Sequence, residues 1–312
     1  MTSTSRLPVV LFLLITAILS GCSRQAIYDT AIDWERSAAG LEPDRIAVGK
    51  LDIAYLRNKE TVDGDTIVLI HGFGANKDNW TRLARELTDE FNVYAIDLPG
   101  HGDSSKELDL GYRFEDQVQH VARILDALNI DQAHLMGNSM GGAITALYSA
   151  TFPEQVRSAV LFNPAGIFEY ESELVELVTE GDNPLIPKES GDFDRLLDFA
   201  LEKRPFVPWP ILGVMEEKAI ANREVNQVIF AAIRDTGFES DFRTAIREVT
   251  VPVLVVWGKE DRVINYRNAD LFVEAIPRST KVILDDIGHA PMVEAPKRSA
   301  QLFRDFIGDS KR

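Results

Sequence analysis

The chain has 312 residues, 45% of them hydrophobic and 26% charged, an ordinary globular composition long enough for one large domain with an insertion. With 33 Lys and Arg against 49 Asp and Glu, the formal net charge is −16. That balance argues against a nucleic-acid partner, which needs a basic face, and reads as a well-solvated surface.

At the N-terminus Arg6 precedes an apolar run over residues 7–19, closed by Ser20-Gly21-Cys22. A charged start, a hydrophobic stretch and a small-residue ending are the parts of an export signal. The run is shorter than the roughly 20 apolar residues of a membrane-spanning helix. Leu19-Ser20-Gly21-Cys22 resembles a bacterial lipobox, which implies acylation of Cys22. Cys22 is the single cysteine, so no intramolecular disulfide competes for it. Residues 1–21 are therefore expected to be a lipoprotein signal peptide and residues 22–43 an N-terminal tether. The tether has Ile27, Ala31, Trp34, Ala38 and Leu41 spaced as on one helix. An anchored, exported lipoprotein is expected, and Ser23 after the cysteine favours outer-membrane sorting by resemblance to bacterial lipoproteins.

Residues 45–57 alternate through Ile46, Val48, Leu51, Ile53 and Tyr55, the period of a strand pair turning at Gly49-Lys50. Residues 66–70 are uniformly apolar, as in a parallel strand covered on both faces. A helix is expected over 79–90, with Trp80, Leu83, Ala84 and Leu87 on one face. Strands at 91–96, 133–136 and 156–162 alternate with helices at 112–128 and 140–151. Short apolar strands alternating with helices predict an α/β fold with a mostly parallel sheet and helices on both faces.

From residue 168 to 248 the pattern changes. No buried strand is visible, only helical stretches at 170–178, 193–202 and 224–234, with punctuation at Pro205, Pro208 and Pro210. Strands return at 251–257 and 280–284, followed by a closing helix at 296–307. The domain reading is a core of residues 44–167 and 249–312 with a helical cap over 168–248, placed where open α/β sheets bind ligands.

The chemistry is carried by Gly137-Asn138-Ser139-Met140-Gly141, a G-x-S-x-G turn in which a serine hydroxyl projects from a sharp strand-to-helix bend. A serine hydroxyl needs an adjacent base, usually an imidazole oriented by a carboxylate. Of the five histidines, His71 and His101 sit in glycine-flanked turns, His120 on a helix and His134 before a strand. His289 follows the last strand, where a loop can carry it to the sheet edge. Asp261 lies a few residues beyond the preceding strand; Glu260, Asp285, Asp286 and Glu294 are the competing carboxylates. No H-E-x-x-H and no cysteine pair points to a metal.

The set His71-Gly72-Phe73-Gly74, Asp97-Leu98-Pro99-Gly100-His101-Gly102, Gly137-Asn138-Ser139-Met140-Gly141-Gly142, Gly258-Lys259-Glu260-Asp261-Arg262 and Gly288-His289 resembles the α/β-hydrolase superfamily over residues 45–307. Within it the chain is similar to the lipase and monoacylglycerol-lipase branch that includes bacterial esterolytic lipases. The resemblance implies an eight-stranded, mostly parallel sheet, a helical cap and no cofactor. It implies Ser139 as nucleophile, His289 as base and then acid, and Asp261 as orienting carboxylate, in the chain order of that fold. The main-chain N–H groups of Phe73 and Met140 would be the oxyanion donors, the second at a helix start with unpaired donors. Asp97 and His101 would brace a turn, and His71 would lie hydrogen-bonded beneath the oxyanion loop.

A serine where related dehalogenases and epoxide hydrolases carry aspartate directs the chemistry to acyl transfer to water. The expected activity is carboxylic ester hydrolysis, on monoacylglycerols or other short- to medium-chain esters. Apolar cap residues, Phe206 and Trp209 among them, are candidates to line an acyl pocket. Two alternatives remain: a carbon–carbon bond hydrolase of ring-cleavage products, whose nucleophile turn also reads G-N-S-M-G-G, and a non-catalytic surface-binding lipoprotein. Against the first, Ala290-Pro291 follows His289 where that branch usually has Trp.

Overall fold

The computed structural model describes residues 7–237 and 241–310, with side chains from Ser23 to Arg234 and from Asp241 to Gly308. The chain opens on a 32-residue helix, α1 (Leu7–Ala38), which runs without a break past Cys22. The side chain of Cys22, and residues 1–6 of the expected signal peptide, lie outside the described residues. Among the described residues no helix is long and apolar enough to cross a membrane.

Strands β1 (Leu41–Val48) and β2 (Leu51–Asn58) form a hairpin across Gly49-Lys50. β1 starts four residues earlier than the alternation suggests, inside the expected tether. Pro43 sits within it opposite Leu56, which an edge strand tolerates because one row of its N–H groups has no ladder partner. Then come β3 (Thr66–Ile70), α2 (Thr81–Ala84), β4 (Asn92–Ile96), α3 (Phe114–Ala127), β5 (Ala133–Asn138), α4 (Met140–Thr151) and β6 (Val156–Phe162). The helix expected over 79–90 is a 3-10 turn (Lys77–Trp80), the single turn α2, and tight turns to residue 91. Its expected apolar face is nevertheless buried: Trp80, Leu83, Ala84 and Leu87 are all inaccessible to solvent.

Between β6 and β7, the segment expected to form the cap holds α5 (Glu173–Thr179), α6 (Asp192–Ala200), α7 (Trp209–Ala221), α8 (Arg223–Gly237) and α9 (Asp241–Ala245). Helix α7 was not anticipated. Pro208 and Pro210 punctuate its start, with Pro208 as N-cap and Pro210 in the first turn, positions where a missing N–H costs nothing. The core resumes with β7 (Val253–Gly258), α10 (Asn268–Ala275), β8 (Ser279–Leu284), α11 (Pro291–Glu294) and α12 (Pro296–Ser310).

The eight strands lie in the order β1-β2-β4-β3-β5-β6-β7-β8, with β2 antiparallel to both neighbours and every other pair parallel. Alternate residues feed two cores: Val68 and Ile70 of β3 belong to the one that includes Val121, Ile144 and Phe272, while Ile67 and Leu69 belong to the one that includes Trp80, Leu87 and Phe303. Uniformly apolar strands follow from this burial of both faces. After β3 the chain adds β4 on one side and β5 on the other. That reversal opens a crevice at the carboxyl ends of β3 and β5, where open α/β sheets take ligands.

Candidate active site

Ser139 sits where β5 becomes α4, with φ +55° and ψ −119°. That conformation is strained for any residue with a Cβ, and two glycines make room for it. A Cβ on Gly137 would lie 2.1 Å from the Gly141 carbonyl oxygen, and one on Gly141 would lie 2.1 Å from that of Ile70. The bend is thus pressed against β3, and Ser139 faces the loop that follows it: a Cβ added to Gly72 would come within 3.1 Å of Ser139 Cβ. Phe73, next in that loop, and Met140, first in the 12-residue α4, flank the serine. The free N–H groups and positive dipole end of α4 point to the same place.

Asp261 and His289 meet as a pair. His289 Nδ1 lies 2.9 Å from Asp261 Oδ2, and both residues are more than nine-tenths buried. Four further donors fix the carboxylate. Oδ2 accepts from Asn163 Nδ2 at 2.6 Å and Trp257 Nε1 at 3.1 Å, and Oδ1 accepts from the main-chain N–H groups of Val263 at 2.8 Å and Ile264 at 3.0 Å. An acceptor so saturated has no freedom to turn away from the imidazole. The main chain of His289 is held from two directions, its N–H donating to Ala200 O of the cap at 2.8 Å and its oxygen accepting from Asn138 Nδ2 at 3.0 Å.

The competing carboxylates are engaged elsewhere. Asp285 pairs with Lys259 at 2.7 Å, and Glu260 and Asp286 are exposed. Glu294 takes a different part: its carboxylate accepts from the N–H groups of Gly288 and Ala290, on either side of His289, and from those of Glu202 and Lys203 in the cap at 2.9 and 2.8 Å. Asn138, Asn163, Trp257 and Glu294 are site residues that sequence reasoning missed as such. Their only sequence signal is position: each stands at a strand end or within five residues of a catalytic candidate.

The rings of His71 and His101 lie tilted at 60° to one another with centroids 4.9 Å apart. Burial pushes their pKa values down to about 4 and about 3, so both rings are neutral near pH 7. His71 accepts from Leu98 N at Nε2, 3.1 Å, and Nδ1 donates to Gly72 O, 2.7 Å, bracing the loop from below. Neither ring lies among the residues lining the cavity beside Ser139.

That cavity, about 570 Å³, reaches from Ser139 and His289 to the cap and α1, and is lined by apolar side chains such as Leu196, Leu197, Ile211 and Met215. Phe206 borders it but is 88% exposed, while Trp209, 71% exposed, lies outside the lining. The two therefore stand at or beyond the mouth rather than deep in a pocket. Among the described residues no group of three or more His, Cys, Asp or Glu side chains could hold a metal ion.

A family model for the alpha/beta hydrolase fold matches residues 65–206. Lipase 1 of Psychrobacter immobilis is 34% identical over 277 residues, covering 88% of this chain and 87% of that protein. Monoacylglycerol lipase abhd6-B of Xenopus laevis is 27% identical, covering 88% and 84%. Among solved structures, a bacterial membrane phospholipase A described as a virulence factor superposes with a TM-score of 0.91 and 37% identity, covering 98% of each chain.

Proposed function

The chain belongs to the α/β-hydrolase family and is a carboxylic ester hydrolase, and from that premise we propose that Ser139, His289 and Asp261 form its catalytic triad. The observation that carries the reading is the His289 Nδ1 to Asp261 Oδ2 contact at 2.9 Å, with the imidazole and Ser139 lining one cavity. With Nδ1 holding its proton toward the carboxylate, Nε2 is the basic nitrogen and takes the hydroxyl proton as Ser139 Oγ attacks the acyl carbon. The oxyanion forms against the N–H groups of Phe73 and Met140, each such donor being worth about 2.7–4 kcal/mol in the barrier. Collapse of the intermediate breaks the C–O bond, and the departing alcohol takes the proton from His289. Water then repeats the sequence on the acyl-enzyme and frees the acid.

The substrate class is an amphiphilic lipid ester. The apolar lining suits an acyl chain, and relatives named lipase, monoacylglycerol lipase and phospholipase A support the class. Labelling of the full chain by a fluorophosphonate, lost on Ser139→Ala together with about 10³-fold or more of p-nitrophenyl ester hydrolysis, is the expected result. Full activity of Ser139→Ala would end the reading. A chain-length series from C2 to C16 locates the acyl preference, expected at short to medium length.

The N-terminal segment is proposed to serve export and anchoring through acylated Cys22, more than one acyl chain giving a stable hold on an outer membrane. Radiolabelled palmitate incorporation that persists in Cys22→Ala would remove this part of the proposal and leave the esterase reading untouched.

A further inference from the structure

We propose that Arg36, on the N-terminal helix, is a positioning residue for the oxyanion loop, so that α1 is a working part of the ester-hydrolysing site; the proposal rests on the reading of Phe73 N–H as an oxyanion donor. The loop from Gly72 to Lys77 is fastened at both ends. Its near end hangs on His71, whose ring joins Gly72 O to Leu98 N. Its far end enters the 3-10 turn through Asn76, whose side chain accepts from Asp78 N at 2.9 Å.

Two opposed pulls fix that far end. From the sheet side, Asp97 accepts the main-chain N–H of Lys77 at 2.7 Å and its Nζ at 2.8 Å, and Asp103 accepts Nζ at 2.6 Å. From the other side, Arg36 closes a two-pronged pair on Asp78, Nε to Oδ1 at 2.6 Å and Nη2 to Oδ2 at 2.8 Å. The planar fork matches the carboxylate and fixes direction as well as distance. Both side chains are largely shielded, 13% and 16% exposed, so solvent does little to replace the pair.

Charge balance makes Arg36 necessary to the geometry. Three carboxylates, Asp78, Asp97 and Asp103, lie within 4 Å of the one ammonium of Lys77, with Asp78 the farthest at 3.7 Å. Burial works against the charge on Lys77, and the three carboxylates together outweigh it, raising its pKa above the usual ammonium range. Take away the guanidinium and, among the described residues, Lys77 is the one cation left within 4 Å of Asp78. The ammonium is then drawn off Asp97, and the Lys77 main chain, which ends the loop carrying Phe73, moves with it. Arg36 shares one face of α1 with Tyr28 and Ile32, all three lining the cavity, so this helix forms a wall of the site as well as its brace.

The test uses the full-length protein and a water-soluble short-chain p-nitrophenyl ester. Arg36→Ala is expected to lower kcat about 10- to 100-fold, the scale of a displaced rather than deleted transition-state contact, with KM changed less than about twofold and fluorophosphonate labelling slowed in parallel. Arg36→Lys, which keeps the cation without the fork, falls between; Arg36→Asp combined with Asp78→Arg recovers most of the loss. Arg24→Ala, which removes an exposed pair between α1 and Glu217 of α7, leaves kcat unchanged. If Arg36→Ala does not fold, Arg36→Lys and Asp78→Asn carry the test. Variants that melt earlier yet keep wild-type kcat would overturn the proposal and reduce the pair to a structural tie. Should Ser139→Ala keep its activity, it is the triad reading that fails; loss there with unaffected Arg36 variants refutes only the present inference.

Discussion

The amide of Asn138 donates to the main-chain oxygen of His289 at 3.0 Å, and to Phe162 O at 3.1 Å. The residue before the proposed nucleophile therefore holds the loop that carries the proposed base, and both of its amide hydrogens are spent on main-chain oxygens. Asn138→Ala leaves the His289 carbonyl short of a donor, at a cost of about 1–3 kcal/mol, while Phe162 O still accepts from Ser139 N at 3.0 Å, and it releases His289 relative to Ser139. Expected is a kcat lowered about tenfold with KM little changed, measured alongside the melting temperature. A variant that loses stability while keeping full kcat would show that the bond serves the fold alone.

Glu294 ties the cap to the His289 loop with one carboxylate and four main-chain N–H groups. Hydrogen bonds to a charged acceptor are worth about 1.5–3 kcal/mol each when shielded, less when open to water. Glu294→Gln keeps one accepting oxygen and turns a donor toward the other N–H groups, so one side of the tie lets go. Faster proteolytic cleavage within residues 201–208 and a lower kcat/KM are expected together, and digestion at the wild-type rate would count against the tie.

Ser139 stores backbone strain. A residue held in that region costs on the order of 1–3 kcal/mol, a cost that glycine does not carry. Ser139→Gly should therefore be inactive but more stable than Ser139→Ala, by up to about 1–2 kcal/mol after the added flexibility of the unfolded chain is discounted. Chemical denaturation of the two variants side by side decides it. An equal or lower midpoint for the glycine variant would mean that the bend is unstrained.

Acid should weaken the fold through His71 and His101. Burial holds their pKa values down to about 4 and about 3, against about 6.5 in an unfolded chain. On acidification the unfolded chain takes up protons first. Their contribution is fully present above about pH 6.5 and is lost as pH falls to about 4 for His71 and about 3 for His101. At about 1.4 kcal/mol per pKa unit, His71 alone accounts for on the order of 3 kcal/mol. Urea midpoints from pH 7 to pH 4.5 should fall, with a shallower slope in His71→Asn; a slope unchanged by that substitution would assign the loss to other groups.

The strand-end candidates stand out in the sequence because punctuation marks them. Ser139 is bracketed by glycines, and Asp261 and His289 each follow an apolar run and a glycine. What held these groups was not legible, because Asn138 and Glu294 grip main-chain groups and Asn163 grips the Asp261 carboxylate, in each case reaching a segment far away in the chain. A carboxylate near His289 in sequence reads as a rival to Asp261, and only coordinates reveal that Glu294 grips the peptide groups on either side of the ring. Helix α7 escaped notice for a local reason: prolines signal a break and a first turn equally well. The early start of β1 escaped because Pro43 looks foreign to a strand until that strand is found at the sheet edge.

Only Ala39 and Gly40 separate α1 from β1, and Gly40 turns the chain at φ +69°. A swinging leash would let the body sample every orientation; a rod joined by so short an elbow, and pinned along its flank, sets one bearing. At 1.5 Å per residue, Tyr28 on the cavity wall stands about 9 Å along the axis from Cys22. The proposed anchor at Cys22 would thus also set how far an ester must travel to reach Ser139, and from which side it arrives.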